Sequence, residues 1–429
     1  MNKKPSWYSL LLQKRMCLIL LLGFVSGLPL GLTGTALQAW YAVDGVDIVT
    51  IGFLALVGQP YVYKFIWAPM MDKWRLPFLG LRRGWMLTTQ IALIGVLCAM
   101  ALLSPAQEPL LLAFLALCLA FLSATQDIAI DAYRTELLKP DERGMGTAMA
   151  VSGYRIAMLV SGGLTLIIAD YVGFSFTYFL MAALMGIGVF ATLWAKEPIQ
   201  YRGTPPSFVD ACILPFKEFL TRKHALALLS FVILYKLGDA FASTLTTTFL
   251  LKGVGFSLKE IGLINKTGGL ISTLFGVFVG GVMMVRLGLF RSLLFFGIIQ
   301  ALTNLLFYAL SLMGPNTGML IVTVCLENFG GGLGTAAFMA LVMSLCHPRF
   351  TATQFALISA LAAVGRVFVG PLAGYMVEAV GWPEFFLWTV VFAVPGLVLL
   401  VILRPTINNY EANKEENIQT AIDEAKASA

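Results

Sequence analysis

The chain has 429 residues, 59% of them hydrophobic and only 12% charged, with a mean hydropathy of +0.84. No soluble globular domain of this length carries that composition, so the chain reads as an all-α polytopic membrane protein. The net charge of +6 is spread over many loops rather than gathered on one face, which sets nucleic-acid binding aside.

A helix needs about 20 apolar residues to cross roughly 30 Å of hydrocarbon, and twelve stretches qualify: 16–43, 49–71, 85–103, 109–130, 145–169, 174–195, 225–250, 258–285, 290–313, 317–345, 352–379 and 384–403. The first follows Lys3, Lys4, Lys14 and Arg15, as a signal peptide would. It runs too long for one and closes on Gln38, Trp40 and Tyr41, an interfacial anchor, so it is a retained helix. After the second span comes DKWRLPFLGLRRG (72–84), an acid among bases. Such a loop either clamps helix ends or simply fixes topology through Arg82 and Arg83. The matching stretch from Arg286 to Arg291 lacks the acid.

The fourth span places Asp127 and Asp131 one turn apart on one side of a helix. The fifth carries Gly153-Tyr154-Arg155, then Gly162-Gly163; the eleventh echoes it weakly with Val364-Gly365-Arg366, then Gly370 and Gly374. Between spans six and seven, residues 196–224 are polar and hold Pro198, Pro205, Pro206 and Pro215. That stretch divides the chain into a six-helix half (1–195), a linker (196–224), a second six-helix half (225–404) and a tail (405–429) that is either a short helix or disordered. Of the lysines and arginines in the loops and at the span ends, twenty-two fall on one side and two, Lys252 and Lys259, on the other. Both termini are therefore cytoplasmic.

Five bases, Lys64, Arg155, Lys236, Lys266 and Arg366, lie inside apolar spans, together with the acids Asp127, Asp239 and Glu327. Each costs about 2.5–3.5 kcal/mol at the bilayer centre unless it faces a wet or paired interior. None falls in spans three, six, nine or twelve, as a polar cavity shielded by those helices requires. The excess of bases predicts an anionic solute bearing carboxylate or phosphate. The competing reading is that some bases are structural partners of the acids, Lys236 with Asp239 above all. Uphill transport needs a coupling ion, and desolvation favours the neutral form of a carboxyl. Asp127 and Asp131 are the first candidates to carry a proton, and Glu327 is the alternative. Gln126 and Tyr154 are among the polar and aromatic residues suited to a sugar or peptide.

Nothing predicts an enzyme. His224 and His347 sit in loops, no HExxH or phosphate-cradling GxxxxGK[ST] occurs, and the six cysteines show no CxxC. No metal and no cofactor other than the proton is expected.

Two six-helix halves with cytoplasmic termini and a central linker resemble the plan of major facilitator transporters. Within that plan SGLPLGLTGTALQAWY (26–41), KFIWAPMMD (64–72), SATQDIAIDAYRTELL (123–138), GYRIAMLVSGGL (153–164), LYKLGDAFASTLTTTFL (234–250) and VGRVFVGP (364–371) resemble the AmpG-type muropeptide permeases. The resemblance implies proton-driven import of N-acetylglucosamine-1,6-anhydro-N-acetylmuramyl peptides across the Gram-negative inner membrane for peptidoglycan recycling, with an influence on β-lactamase induction. It also implies functional positions at Lys64, Gln126, Asp127, Asp131, Arg155, Lys236, Asp239, Lys266 and Arg366. The expected partners are an anionic glycopeptide and the lipid bilayer, with the protein a monomer. A transporter of another organic anion such as acetyl-CoA, and a muropeptide sensor that does not transport, are the alternatives.

Overall fold

A computed structural model describes residues 13–46, 50, 54–77, 79–198, 208–257, 260–261 and 264–410. Every regular element among the described residues is helical. The first span is α1 (Lys14–Thr33) and α2 (Thr35–Val43), broken at Gly34. The second is a series of short pieces: a 3₁₀ turn (Leu54–Gly58), α3 (Gln59–Tyr63), a 3₁₀ turn (Lys64–Ile66) and α4 (Ala68–Lys73). Pro60 and Pro69 lie at the starts of α3 and α4; lacking an N–H, each is accepted in a first turn and disrupts a helix interior. Then follow α5 (Leu81–Ala101), α6 (Pro109–Leu137), α7 (Arg143–Met158), a π turn (Leu159–Leu164), α8 (Thr165–Val172) and α9 (Phe174–Trp194).

The polar, proline-bearing linker holds α10 (Phe208–Leu220) with Pro215 inside it. The second half runs α11 (Ala225–Tyr235), α12 (Leu237–Thr248), two π turns (Phe249–Val254 and Ile264–Gly269), α13 (Leu270–Leu287), α14 (Leu289–Met313), α15 (Thr317–Leu345), α16 (Thr351–Val380) and α17 (Trp382–Ile402). Ten of the resulting spans are long and apolar enough to cross a bilayer; the broken second span and α16 supply the other two of the expected twelve. Helix continues to residue 410, and the tail beyond lies outside the described residues.

Within the first half, α1 crosses α7 so closely that a Cβ at Gly23 or Gly153 would collide with the facing backbone. Only glycine permits that approach, which replaces hydrophobic drive with van der Waals contact where lipid is the solvent. Across the halves, the extensive packing joins the cytoplasmic portion of α7 to that of α13, and α4 with the end of α6 to the start of α16. A Cβ on Gly281 would lie 2.8 Å from the Gly144 carbonyl oxygen, so glycine sets this contact too. At this end of the bundle the two halves pack directly against each other.

A buried charge network secures that packing. Asp72, at the end of α4, is 2% exposed and accepts hydrogen bonds from the Ala352 amide (3.1 Å), the Thr353 amide (2.8 Å) and the Thr353 hydroxyl (2.6 Å) at the start of α16. A carboxylate there meets both the unpaired amides of a helix N terminus and its positive dipole end. Arg82 holds Asp72 from behind at 2.8 Å, pairs with Glu136 at 2.6 Å and donates to the Met71 carbonyl at 2.9 Å. Arg82 thus joins helix ends rather than only setting topology. Arg143 donates to Ser344 at 2.5 Å across the same seam.

The linker helix adds a latch. Arg222 pairs with Glu218 at 2.7 Å and donates to the Leu345 carbonyl at 2.6 Å, while Gln354 of α16 donates to Glu218 at 2.7 Å. Burial raises the Glu218 carboxyl, but hydrogen bonds from Arg222 and Gln354 and the charge of Arg222 outweigh it and hold the group below its ordinary value of 4.5.

Replacing Asp72 by alanine removes charge-assisted bonds to α16 worth about 1.5–3 kcal/mol each before relaxation. Spin-label distances between α4 and α16 are expected to lengthen and broaden in that variant and to stay short in the parent. A lowered carboxyl pKa contributes stability that is present above the ordinary value and lost as pH falls through the folded one. Protease protection of α10 is therefore expected to persist at pH 5 and to fade only below about pH 4.5, and Glu218→Gln is expected to remove that dependence.

Candidate functional site

Spans two and seven both interrupt their helices at a lysine. In the second span Lys64 opens the short 3₁₀ turn; in the seventh, Lys236 is the single residue between α11 and α12. Such breaks free backbone groups at membrane depth, which is tolerated where the chain lines a cavity.

On the amino-terminal side, α6 presents its charges along one face. The Ser26 hydroxyl of α1 donates to Asp127 at 2.5 Å, and no base stands within 4.0 Å of that carboxylate among the described residues. Asp131 is different: Arg134, one turn on, pairs with it at 2.9 Å and Lys64 approaches it at 3.8 Å. Tyr154 of α7 lies close enough to Asp127 and Asp131 to feel both charges. Arg155 beside it is half-buried and has no carboxylate partner among the described residues. Gln126 is fully buried, donating to the Val25 carbonyl at 3.1 Å, with its own oxygen unpaired. It therefore joins α6 to α1 rather than reaching open space.

On the carboxy-terminal side, Lys236 stands 4.0 Å from Asp239 and 5.7 Å from the Phe338 ring centroid. Asp239 sits in the first turn of α12, where the helix dipole favours an acid. Glu327 of α15 lies near both and accepts a bond from Asn328 at 2.8 Å. Asn328 in turn accepts from Thr273 at 3.1 Å, tying α15 to α13. Lys266 is in the π turn before α13 and Arg366 in α16, but both side chains lie outside those described.

The structure therefore brings Lys64, Asp127, Asp131 and Tyr154 into one cluster, with Arg155 next to Tyr154 in α7, and Lys236, Asp239 and Glu327 into another. The acid–base clamp that residues 72–84 offered as one reading is present as Asp72–Arg82, whereas sequence reasoning missed Ser26, Arg134 and the bonds from Asp72 to the start of α16. Arg134 was counted as a loop residue, although its i, i+3 spacing from Asp131 carried the signal. Nothing local to Ser26 or Asp72 marks a partner more than a hundred residues away. Among the described residues no cluster of His, Cys, Asp and Glu forms a metal site.

The chain matches the Major Facilitator Superfamily over residues 19–368 and 237–427. It is 50% identical over 410 residues to the Anhydromuropeptide permease of Escherichia coli K12, covering 95% of this chain and 84% of that protein. Among solved structures it is similar to the human organic anion transporter MFSD10 (TETRAN), with a TM-score of 0.64, 18% identity and coverage of 90% of this chain and 97% of that one. It is also similar to FucP in its outward conformation, with a TM-score of 0.66, 13% identity and coverage of 91% and 98%. These two show the shared fold, whereas the Escherichia coli relative shows the closer kinship. The chain belongs to the Major Facilitator Superfamily and, within it, to the AmpG-type permeases.

Proposed function

We propose that the protein is a proton-coupled importer that carries N-acetylglucosamine-1,6-anhydro-N-acetylmuramyl peptides from periplasm to cytoplasm by alternating access, in the inner membrane of a Gram-negative bacterium. The half-buried Arg155 carries the reading. Lys64 and Lys236 are already answered by Asp131 and Asp239, whereas Arg155 has no carboxylate among the described residues. A half-buried guanidinium without an internal carboxylate partner suits a peptide carboxylate, which it can grip through two hydrogen bonds. The Escherichia coli relative, a named anhydromuropeptide permease, supports the same substrate.

Proton coupling is read from a difference among the acids. Asp131 is held by two bases, so protonating it would break ion pairs. Among the described residues Asp127 and Glu327 form no ion pair and accept hydrogen bonds from uncharged donors, Ser26 and Asn328. Each can therefore gain and lose a proton without breaking an ion pair, as a carrier must. The closed cytoplasmic seam accounts for the other half of the cycle: loading from outside precedes release of Asp72 from α16.

Uptake of labelled anhydromuropeptide into proteoliposomes under an imposed proton gradient tests the proposal. Gradient-dependent accumulation is expected; none by correctly oriented, folded protein, or displacement by acetyl-CoA but not by disaccharide peptides, would overturn it. Asp127→Asn is expected to abolish accumulation while leaving substrate binding measurable. Arg155→Ala should weaken binding about ten- to a hundredfold, in line with about 1.5–3 kcal/mol for a hydrogen bond to a charged group. Asp131→Ala leaves Lys64 and Arg134 uncompensated, a change that costs several kcal/mol in buried pairs. Its melting temperature is expected to drop by several degrees, whereas that of Asp127→Asn stays near the parent's.

A further inference from the structure

A cavity of about 340 Å³ opens at the cytoplasmic rim of the amino-terminal half, where the start of α1, the end of α6 and the end of α9 converge. Leu18 and Leu137 give it apolar walls, and Lys14, Arg15 and Lys196 contribute the positive charge. Trp194 forms one side, with the Lys14 ammonium 4.5 Å from its ring centroid and Phe190 stacked on it at 6.1 Å. Both aromatic side chains are exposed on the outer surface of α9, where amphipathic rings mark the level of the headgroups.

The polar neighbours are accounted for one by one. Arg15 is answered by Glu142 at 2.7 Å and by Gln13 at 2.7 Å. Glu197 is turned away, accepting the Arg82 and Arg83 amides at 2.8 and 3.1 Å. The Arg83 guanidinium covers the negative end of α9 by donating to the carbonyls of Thr192 and Leu193 at 3.0 and 3.1 Å. The Tyr133 hydroxyl donates to the Lys196 carbonyl at 3.0 Å and fixes the backbone from which that lysine extends. Lys14 and Lys196 are left with no ion pair among the described residues.

We propose that this cavity binds one anionic phospholipid of the cytoplasmic leaflet. Lys14 and Lys196 hold its phosphodiester, and the chains run along Leu18, Leu137 and the Trp194–Phe190 face. Basic groups just inside the cytoplasmic surface attract anionic headgroups in general; here apolar walls and an aromatic flank select a lipid over a free anion. Bound there, the lipid joins the first helix to the residue that begins the linker, and so holds the entry to the linker against the amino-terminal half.

Native mass spectrometry and thermal melting of the full chain, in nanodiscs of phosphatidylcholine with and without a minor fraction of phosphatidylglycerol, test this. One retained phosphatidylglycerol and a melting temperature several degrees higher are expected. Retention should fall about tenfold in Lys14→Gln/Lys196→Gln and stay unchanged in Arg286→Gln/Arg291→Gln at the same leaflet. Equal retention in the first pair, or equal loss in both, would overturn the site. If glycerol phosphate in solution stabilises the protein as well as phosphatidylglycerol does, the ligand is a free anion and the lipid assignment fails. Should the lysine variant not insert, Trp194→Leu keeps both charges, and undiminished retention in it refutes the aromatic wall.

Discussion

A charge inside a bilayer has to be answered by another charge, by hydrogen bonds or by water, and this requirement arranges much of the protein. It explains why the apolar spans three, six, nine and twelve carry no charges in their interiors, and why the second and seventh spans give up helical regularity around Lys64 and Lys236. It also separates the ionic groups by task. Those answered within the chain, such as Arg82 with Asp72 and Glu136, fasten helices. Those with no ion pair among the described residues, Arg155 and the carboxyls of Asp127 and Glu327, are the groups the proposed function assigns to a solute or a proton.

The two clusters are similar in composition and different in construction. In the amino-terminal half a base from one span meets an acid from another, Lys64 with Asp131. In the carboxy-terminal half the base and acid belong to a single span, Lys236 and Asp239, on either side of a helix break. A pair within one span moves with that span as a unit. A pair between spans responds to any relative movement of α6 and the second span. The amino-terminal cluster is thus the one whose ionic contacts change if those elements shift.

Most span positions and the Lys236–Asp239 contact were legible in the sequence because each depends on local composition or on helical periodicity. The breaks were only partly so. Pro60 and Pro69 lie where the second span breaks into short helices, although its apolar run is long enough to read as one continuous helix. Gln126 looked like a cavity residue by its chemistry; its burial against Val25 follows from the close crossing of α1, which no local pattern states. Least legible were contacts between distant segments, such as Arg15 with Glu142 or Asp72 with the start of α16. Their partners are set by how the bundles dock, not by spacing along the chain.

Asp72 grips α16 chiefly through backbone amides, those of Ala352 and Thr353. An amide is present whatever side chain a residue carries, proline excepted. These two amide hydrogen bonds are therefore indifferent to the amino acids chosen at the receiving helix terminus, and only the bond from the Thr353 hydroxyl depends on a side chain there. Substitutions there can accumulate over generations without unfastening the two amide hydrogen bonds, so long as the helix still begins at the same place. The giving side has no such freedom, since the single Asp72 carboxylate accepts all of these bonds. Sequence drift at this contact is expected to be lopsided, with Asp72 fixed and Ala352 freer to vary.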